Sequence, residues 1–133
     1  MKTIVRMVDV PINDWNNQTK GTVTLEISDG EFVLLLGPNG SGKSYLLNLM
    51  AALRVPRVGE VFLEGKRLTK MSERQKRAWR AGLGLIPSDP VLLNGYTVLE
   101  GLVLTAQLLG KSAADAKRNA LESASLCGLD QIG

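Results

Sequence analysis

The sequence has no histidine and only one cysteine, and these two shortages remove several kinds of chemistry. Without histidine, these 133 residues hold no Ser–His–Asp triad, no imidazole acid–base pair and no histidine metal site. Because Cys127 stands alone, no internal disulfide forms, and a reducing compartment is expected. Cys127 lies near a predicted helix end, where a small apolar filler is a better interpretation than a nucleophile.

Long apolar runs are also lacking. The run FVLLL at residues 32–36 has the length of a strand, far below the roughly 18 residues that cross a bilayer. The first residues carry charges within their apolar part and lack a small-residue cleavage site, so no secretory signal is predicted. A length of 133 residues with 44% hydrophobic residues suits one modest globular domain.

Positive charge is concentrated in one stretch, although the formal net charge is only +3. The basic residues there are Lys66, Arg67, Lys70, Arg74, Lys76, Arg77 and Arg80. This pattern indicates either a solvated helix face or a surface for phosphate or nucleic acid. Since no interleaved aromatic residues offer base stacking, we predict no nucleic-acid partner.

The hydrophobic periodicity predicts an α/β fold. Expected strands are residues 3–10 (stopped by Pro11), the alternating residues 22–27, the continuous run 32–36, the segment EVFLEGK (residues 60–66) running into a turn at Gly65, and residues 83–86. The run 32–36 fits a strand covered on both faces, as in a parallel sheet between helices. Helices are expected over residues 43–53 and after the caps Ser72, Thr97 and Ser112, and the last of them is expected to end near Cys127 with Gly128 as its C-cap.

A loop between the run 32–36 and the first helix satisfies the phosphate-binding pattern G-x-x-x-x-G-K-[ST]. The matching residues are Gly37, Pro38, Asn39, Gly40, Ser41, Gly42, Lys43 and Ser44. Glycines permit positive φ, so successive N–H groups can converge on phosphate oxygens. The helix start adds free N–H groups and a positive dipole end. We expect Lys43 to contact the β- and γ-phosphates and Ser44 to bind Mg²⁺.

Four segments in this order carry a wider resemblance. They are DGEFVLLLGPNGSGKSYLLNLMAAL, GEVFLEGK, LGLIP and YTVLEGL. Together they resemble the N-terminal half of an ABC-type ATPase, the nucleotide-binding domain of ABC transporters. Residues 66–87 are most similar to the lipoprotein-release and cell-division branch. The resemblance implies a single, incomplete domain over residues 1–133, with a P-loop NTPase core and antiparallel β flap in 1–87 and the start of the helical subdomain in 88–133.

Three further residues take positions that contact nucleotide or metal in the family. Trp15 matches an upstream aromatic residue that stacks on adenine, and packing on its own domain is the alternative for it. Tyr45 replaces a second hydroxyl residue that contacts the α-phosphate, and its hydroxyl, at the end of a ring, cannot reach the same point. Ser88 replaces a glutamine that touches Mg²⁺ and the attacking water, so we expect it to act on the metal only through a water.

The family's catalytic parts are absent from these 133 residues. No aliphatic strand ends in Asp–Glu, no Ser–Gly–Gly loop occurs, and there is no switch histidine. The resemblance therefore implies binding of ATP with Mg²⁺ and a membrane-spanning transporter partner at the cytoplasmic face of the membrane. We do not expect this chain alone to hydrolyse ATP, and a second chain carrying the C-terminal half is one way to complete it.

Other hypotheses stay open at this point. Tyr45 and Ser88 motivate a non-catalytic nucleotide-binding or regulatory module, or a vestigial truncated product. Chromosome-maintenance ATPases share GPNGSGK, but they continue into coiled coils, and no sustained heptads occur here. Calorimetry with Mg-ATP separates the binding hypotheses from a purely structural role.

Overall fold

The computed structural model describes residues 1–13, 18–88 and 93–129, and the chain forms two compact units. The first unit spans Met1–Leu85 and the second Ile86–Gly133. In chain order the elements are β1 (Thr3–Asn13), β2 (Thr19–Ser28), α1 (Lys43–Met50), β3 (Glu60–Leu63), β4 (Lys66–Arg67), a 3-10 turn (Leu68–Lys70), α2 (Glu73–Ala81), α3 (Val98–Leu108) and α4 (Ala113–Leu126). Among the described residues, all strands belong to the first unit, and the second unit contains the helices α3 and α4.

The strands of the first unit form one antiparallel sheet in the order β2-β1-β3-β4. Met7 marks its centre, since it pairs with Leu25 on one side and Val61 on the other. The predicted stop at Pro11 is wrong, because β1 continues to Asn13. Pairing with β3 reaches only as far as Val8, so Pro11 lies where that side of β1 is an edge. A proline needs no ladder N–H there.

One face of the sheet packs on α1 and forms the core. Leu46 and Leu49 lie three residues apart on the helix and are 1% and 0% exposed. They meet sheet residues and the turn after β4; the largest fully buried side chains are Met7, Val10, Leu46, Leu49, Val61, Leu63 and Leu68. Each such side chain contributes about 1.5–3 kcal/mol through burial, so α1 is held firmly on the sheet.

Helix α2 is attached to the carboxyl end of α1 by two side chains. The indole N–H of Trp79 donates to the carbonyl oxygen of Met50 at 2.8 Å, and Arg80 donates to the carbonyl of Ala52 at 2.7 Å. Carbonyls at a helix end have no partner within the helix, so these bonds satisfy groups that α1 leaves open. The predicted extension of α1 to residue 53 is wrong, because Ala52 adopts a φ of 53° and ends the helical path.

The predicted strand at residues 32–36 does not form. Phe32 is 91% exposed and Leu36 78% exposed, and no strand lies beside them in the part of the chain that the structure describes. Leu35 alone packs against the core, as a partly buried residue. Residues 83–86 likewise form no strand, and Ile86 is 95% exposed. The expected parallel sheet is therefore not observed, because these apolar runs lack neighbours to pair with.

The predicted helix caps are confirmed. Ser72 and Thr97 each form a capping box, with Gln75 and Glu100 respectively. The hydroxyl oxygen of Ser112 accepts a hydrogen bond from an N–H in the first turn of α4. At the other end of α4, Gly128 adopts a φ of 73°, and its N–H and that of the next residue bond the last carbonyls of the helix.

Candidate phosphate-binding site

Residues 37–42 form a tight loop that leads directly into α1. Gly40 and Gly42 have φ angles of 77° and 87°, in the region that favours glycine. A Cβ on Gly37 would lie only 2.6 Å from the hydroxyl oxygen of Ser41, so a side chain there would require Ser41 to move. The N–H of Ser41 closes a turn on the carbonyl of Pro38 at 3.2 Å. The shape of the loop thus favours glycine at positions 40 and 42.

Lys43 places its ammonium group against this loop. Its Nζ donates to the carbonyl oxygens of Gly37 at 2.6 Å and Pro38 at 2.8 Å, and lies 3.5 Å from the hydroxyl of Ser41. All three partners are neutral. No ion pair within residues 1–13, 18–88 and 93–129 includes Lys43. A half-buried cation without a carboxylate partner attracts an anion to the loop.

The first turn of α1 is open to the same anion. Gly42 caps the helix and has no side chain that could accept a hydrogen bond from the first N–H groups. The first turn also contains no acidic residue. The helix therefore presents free N–H donors and its positive dipole end beside Lys43. The free N–H groups, the positive dipole end and the Lys43 ammonium lie side by side, and together they suit a phosphate group.

The other predicted site residues lie in different settings. Ser44 is exposed in the first turn of α1, directly after Lys43, and Tyr45 is half-buried with its side chain packed against the core. Trp15 lies outside the described residues. Ser88 is an exposed residue of the second unit, and its position as a metal contact stays a prediction. Asn39, between the two halves of the motif, is exposed.

The perturbed titratable groups of the described chain lie outside residues 37–45. In the first unit, a hydrogen bond from Lys2 lowers the pKa of Glu64, and one from Lys76 lowers the pKa of Glu73. In the second unit, the backbone N–H of Thr97 lowers the pKa of Glu100. Within the described residues no group of three or more histidine, cysteine, aspartate or glutamate side chains forms a metal-binding cluster. The loop thus offers cationic and N–H donors, and a metal there would depend on ligand oxygens and Ser44.

The sequence of this chain matches a known protein family over most of its length. A family model described as ABC transporter matches residues 21–131 of this chain. The chain belongs to the ABC transporter family. The matched range includes the whole phosphate-binding loop and both helices of the second unit.

Curated relatives in this family are ATP-binding proteins. An uncharacterized ABC transporter ATP-binding protein of Thermotoga maritima is 33% identical over 97% of this chain and 57% of its own length. The lipoprotein-releasing system ATP-binding protein LolD of Xanthomonas oryzae pv. oryzae is 37% identical over 79% of this chain and 43% of its own length. The predicted resemblance to ABC ATP-binding proteins, with lipoprotein-release members among them, is confirmed. The chain spans about half the length of these relatives.

A solved structure supports the same fold. The dimeric ATP-binding cassette MJ0796, in a post-hydrolysis state bound to ADP and Pi, superimposes with a TM-score of 0.81 at 26% identity. The match covers 96% of this chain and 59% of that cassette. The predicted ABC-cassette fold class is thereby confirmed. Among residues 1–13, 18–88 and 93–129, no helix combines the length and the apolar character that a membrane span requires.

The sequence did not predict the two residues that bind the carboxyl end of α1. Trp79 and Arg80 were visible only as part of a basic, amphipathic helix, yet they bond the carbonyls at the carboxyl end of α1. No spacing rule connects residues 79 and 50, because the two helices meet through the fold. The single clue was an apolar aromatic residue within a strongly charged segment.

Proposed function

We propose that this chain is the Mg-ATP-binding part of an ABC transporter ATPase that powers transport through a membrane-spanning partner. The observation that carries the proposal is the loop at residues 37–44, which combines an open helix N-terminus with an ammonium group that has no carboxylate partner among the described residues. The identity of relatives such as LolD, a lipoprotein-releasing system ATP-binding protein, supports ATP as the ligand. The cassette bound to ADP and Pi supports it further.

In this proposal each loop residue has a physical task. Residues 37–42 present backbone N–H groups to the phosphates, and Gly40 and Gly42 supply the positive φ angles that this loop needs. Lys43 leaves its contacts with the loop carbonyls to neutralise the β- and γ-phosphates. Ser44, the residue after Lys43 in the first turn of α1, would hold Mg²⁺ through its hydroxyl. The metal, when bound, would reduce the charge repulsion among the phosphates.

Trp15 and Tyr45 complete the proposed nucleotide contacts. Trp15 stacks on the purine as the aromatic residue of the upstream loop. Tyr45 follows Ser44 in the first turn of α1, and its ring is held by packing on the core. The fixed ring replaces a short hydroxyl side chain, so the contact to the α-phosphate comes from backbone N–H groups.

The proposed organisation assigns residues 1–87 to the P-loop core and β flap and residues 88–133 to the start of the helical subdomain. Hydrolysis then depends on an Asp–Glu strand and a Ser–Gly–Gly loop, which occur nowhere in these 133 residues. Either a further segment or a second chain supplies them. The assembled ATPase works in the cytoplasm, peripherally at the inner face of the membrane, through its transporter partner.

Substitution of Lys43 tests the nucleotide site. We expect Lys43→Ala to weaken Mg-ATP binding about 10–100-fold, because charge-assisted hydrogen bonds to phosphate are lost. Isothermal titration calorimetry measures the affinity, and Lys70→Ala, which removes an exposed lysine of the same unit, is the matched control. Equal affinities for the two variants would overturn the assignment of the loop.

Phosphate release tests the claim about hydrolysis. We expect the purified chain to release phosphate from ATP no faster than Lys43→Ala does, since no general base follows an aliphatic strand. Turnover well above that variant contradicts this part of the proposal. If the chain fails to bind even millimolar ATP, the alternative of a structural or vestigial product takes its place.

A further inference from the structure

A cavity of about 400 Å³ lies between the carboxyl end of α1 and helix α2, within the first unit. The phosphate-binding loop precedes α1, so this α1–α2 cavity lies at the opposite end of a helix of 8 residues, which is about 12 Å long. The volume falls within the usual range of small-molecule sites, about 300–1,000 Å³. The lining residues are Ala52, Leu53, Arg54, Val55, Glu73, Lys76 and Arg80.

The backbone after α1 places Arg54 at the wall that it shares with α2. Ala52 is buried and adopts a φ of 53°, which residues other than glycine rarely do, so the chain turns sharply here. The N–H groups of Leu53 and Arg54 both donate to the carbonyl oxygen of Asn48, at 2.9 and 3.2 Å. The turn is therefore fixed in a costly conformation, which is common at ligand sites.

Helix α2 contributes two cations and one carboxylate from a single face. Glu73, Lys76 and Arg80 lie three and four residues apart, so they are neighbours on the helix surface. Lys76 donates to the carboxylate of Glu73 at 2.9 Å, and its side chain is only 15% exposed. Arg80 uses one N–H to bond the carbonyl oxygen of Ala52. A guanidinium has five N–H donors, so Arg80 can serve a ligand as well.

Positive charge in the α1–α2 cavity exceeds negative charge by two, since three lining residues are basic and Glu73 is acidic. Neither Arg54 nor Arg80 forms an ion pair with a described residue. The hydrogen bond from Lys76, together with the nearby charge of Arg80, lowers the pKa of Glu73 below its ordinary value of 4.5. The cavity therefore attracts an anion that can accept hydrogen bonds from two guanidinium groups.

The remaining lining indicates what the anion carries. Leu53 and Val55 are 51% and 46% exposed, so a ligand with a carbon part gains by covering them. We infer that the α1–α2 cavity binds a small organic dianion, either a phosphate ester or a dicarboxylate. Its charged oxygens accept from Arg54 and Arg80, and its carbon part lies on Leu53 and Val55. This site is additional to the proposed ATP site and does not depend on it.

Two aromatic dianions test the inference. Phenyl phosphate and phthalate share a benzene ring and differ in the acid group, so they distinguish the two ligand classes. Calorimetry at constant ionic strength keeps general screening equal. Every protein carries Lys43→Ala, which weakens anion binding at the loop. The test variant adds Arg54→Ala/Lys76→Ala, and its control adds Lys70→Ala/Arg74→Ala, which removes one exposed lysine and one exposed arginine away from the cavity.

We expect the Arg54/Lys76 variant to bind the preferred dianion about tenfold more weakly than its control, because charge-assisted hydrogen bonds are lost. The dianion that the Lys43→Ala chain binds more tightly identifies the acid group. Binding of neither dianion by that chain overturns the inference, and so do equal affinities of the two double variants. If circular dichroism shows that the Arg54/Lys76 variant is unfolded, Arg54→Ala alone, at an exposed residue, gives the same comparison with Arg74→Ala.

Glu73→Gln tests the site from the opposite direction. This change frees Lys76 from its ion pair, so the dianion should bind about two- to fivefold more tightly. Glu122→Gln, at an exposed residue of α4, removes the same charge elsewhere, and an equal gain there would overturn the inference. The ATP site is tested separately: a wild-type chain that binds ATP but neither dianion refutes the inference alone, and one that binds a dianion but no ATP refutes the proposed function alone.

Discussion

Two apolar stretches of the first unit end in opposite environments. β3, with the sequence EVFL, lies between β1 and β4, and its Val61 and Leu63 are 0% and 1% exposed. The run FVLLL at residues 32–36 is more apolar, yet Phe32 is 91% exposed and no strand pairs with this run within the described residues. Composition alone therefore does not decide which apolar stretch is buried.

The difference lies in the partners that each stretch requires. β3 alternates, so one face enters the core and its edges pair with β1 and β4, which are both close in space. Residues 32–36 are apolar on both faces, and such a run is buried only when layers cover both sides. Within the described residues the run 32–36 has no such layers, and its side chains stay largely exposed.

The largest expected effect comes from truncating a buried leucine and comparing it with an exposed one. Leu49→Ala should lower the free energy of unfolding by about 2–5 kcal/mol, because it removes methyl groups from a fully packed core. Leu34→Ala, at a residue that is 67% exposed, should change it by less than about 0.5 kcal/mol. Urea unfolding followed by tryptophan fluorescence measures both.

A charged substitution at Leu34 gives a stricter test of the contrast between Leu49 and Leu34. Leu34→Asp should be tolerated, and it should reduce the binding of a hydrophobic dye, since it breaks an exposed apolar run. If Leu34→Asp unfolds the chain, residues 32–36 are buried in solution and the contrast with β3 disappears. Phe32→Ser offers an independent check at the most exposed residue of the run.

The next effect concerns the entry into β3. Gly59 has a φ of 77°, and a Cβ there would lie 2.4 Å from the carbonyl oxygen of Asp9. Gly65, which follows β3, has the same φ, but a Cβ added there would have no atom within 4 Å. Gly59→Ala should therefore cost about 2–4 kcal/mol, from backbone strain and from the clash. Gly65→Ala should cost only the strain, about 1–2 kcal/mol.

Urea unfolding of the two glycine variants isolates the clash, because the backbone strain is common to both. Asp9 itself adopts a φ of 50° at an irregularity in the pairing of β1 with β2, and its N–H and carboxylate both bond the hydroxyl of Thr24. That rigid corner leaves little room for adjustment. Similar losses for both variants would show that β3 is not fixed against this corner.

The sequence predicted well those features that depend on neighbours in the chain. The positive φ angles of Gly40 and Gly42, the capping boxes at Ser72 and Thr97, and the turn at Gly65 all follow from local rules, and the structure contains each of them. Local chemistry also set the end of α4 at Gly128, because only a few residues contribute to that cap.

Features that depend on distant contacts were predicted poorly. The run 32–36 was expected to be a buried strand because it is apolar, but pairing requires a neighbour that no local pattern reveals. The bonds from Trp79 and Arg80 to the end of α1 join residues 28 or 29 positions apart, and periodicity contains no sign of them.

The smallest expected effect lies in the second unit, where a helix start needs no strand partner. The backbone N–H of Thr97 donates to the carboxylate of Glu100 at 2.8 Å, and this bond holds the pKa of Glu100 below its ordinary value of 4.5. Since the folded pKa is the lower one, the bond stabilises α3 above pH 4.5 and is lost as the pH falls through the folded pKa.

The NMR shift of the Thr97 amide should therefore titrate with a midpoint below 4.5. Glu100→Gln should abolish this titration, and Glu122→Gln on α4 should leave it unchanged. A midpoint at or above 4.5 would mean that the capping box of α3 does not persist in solution, and that this helix, like residues 32–36, depends on neighbours.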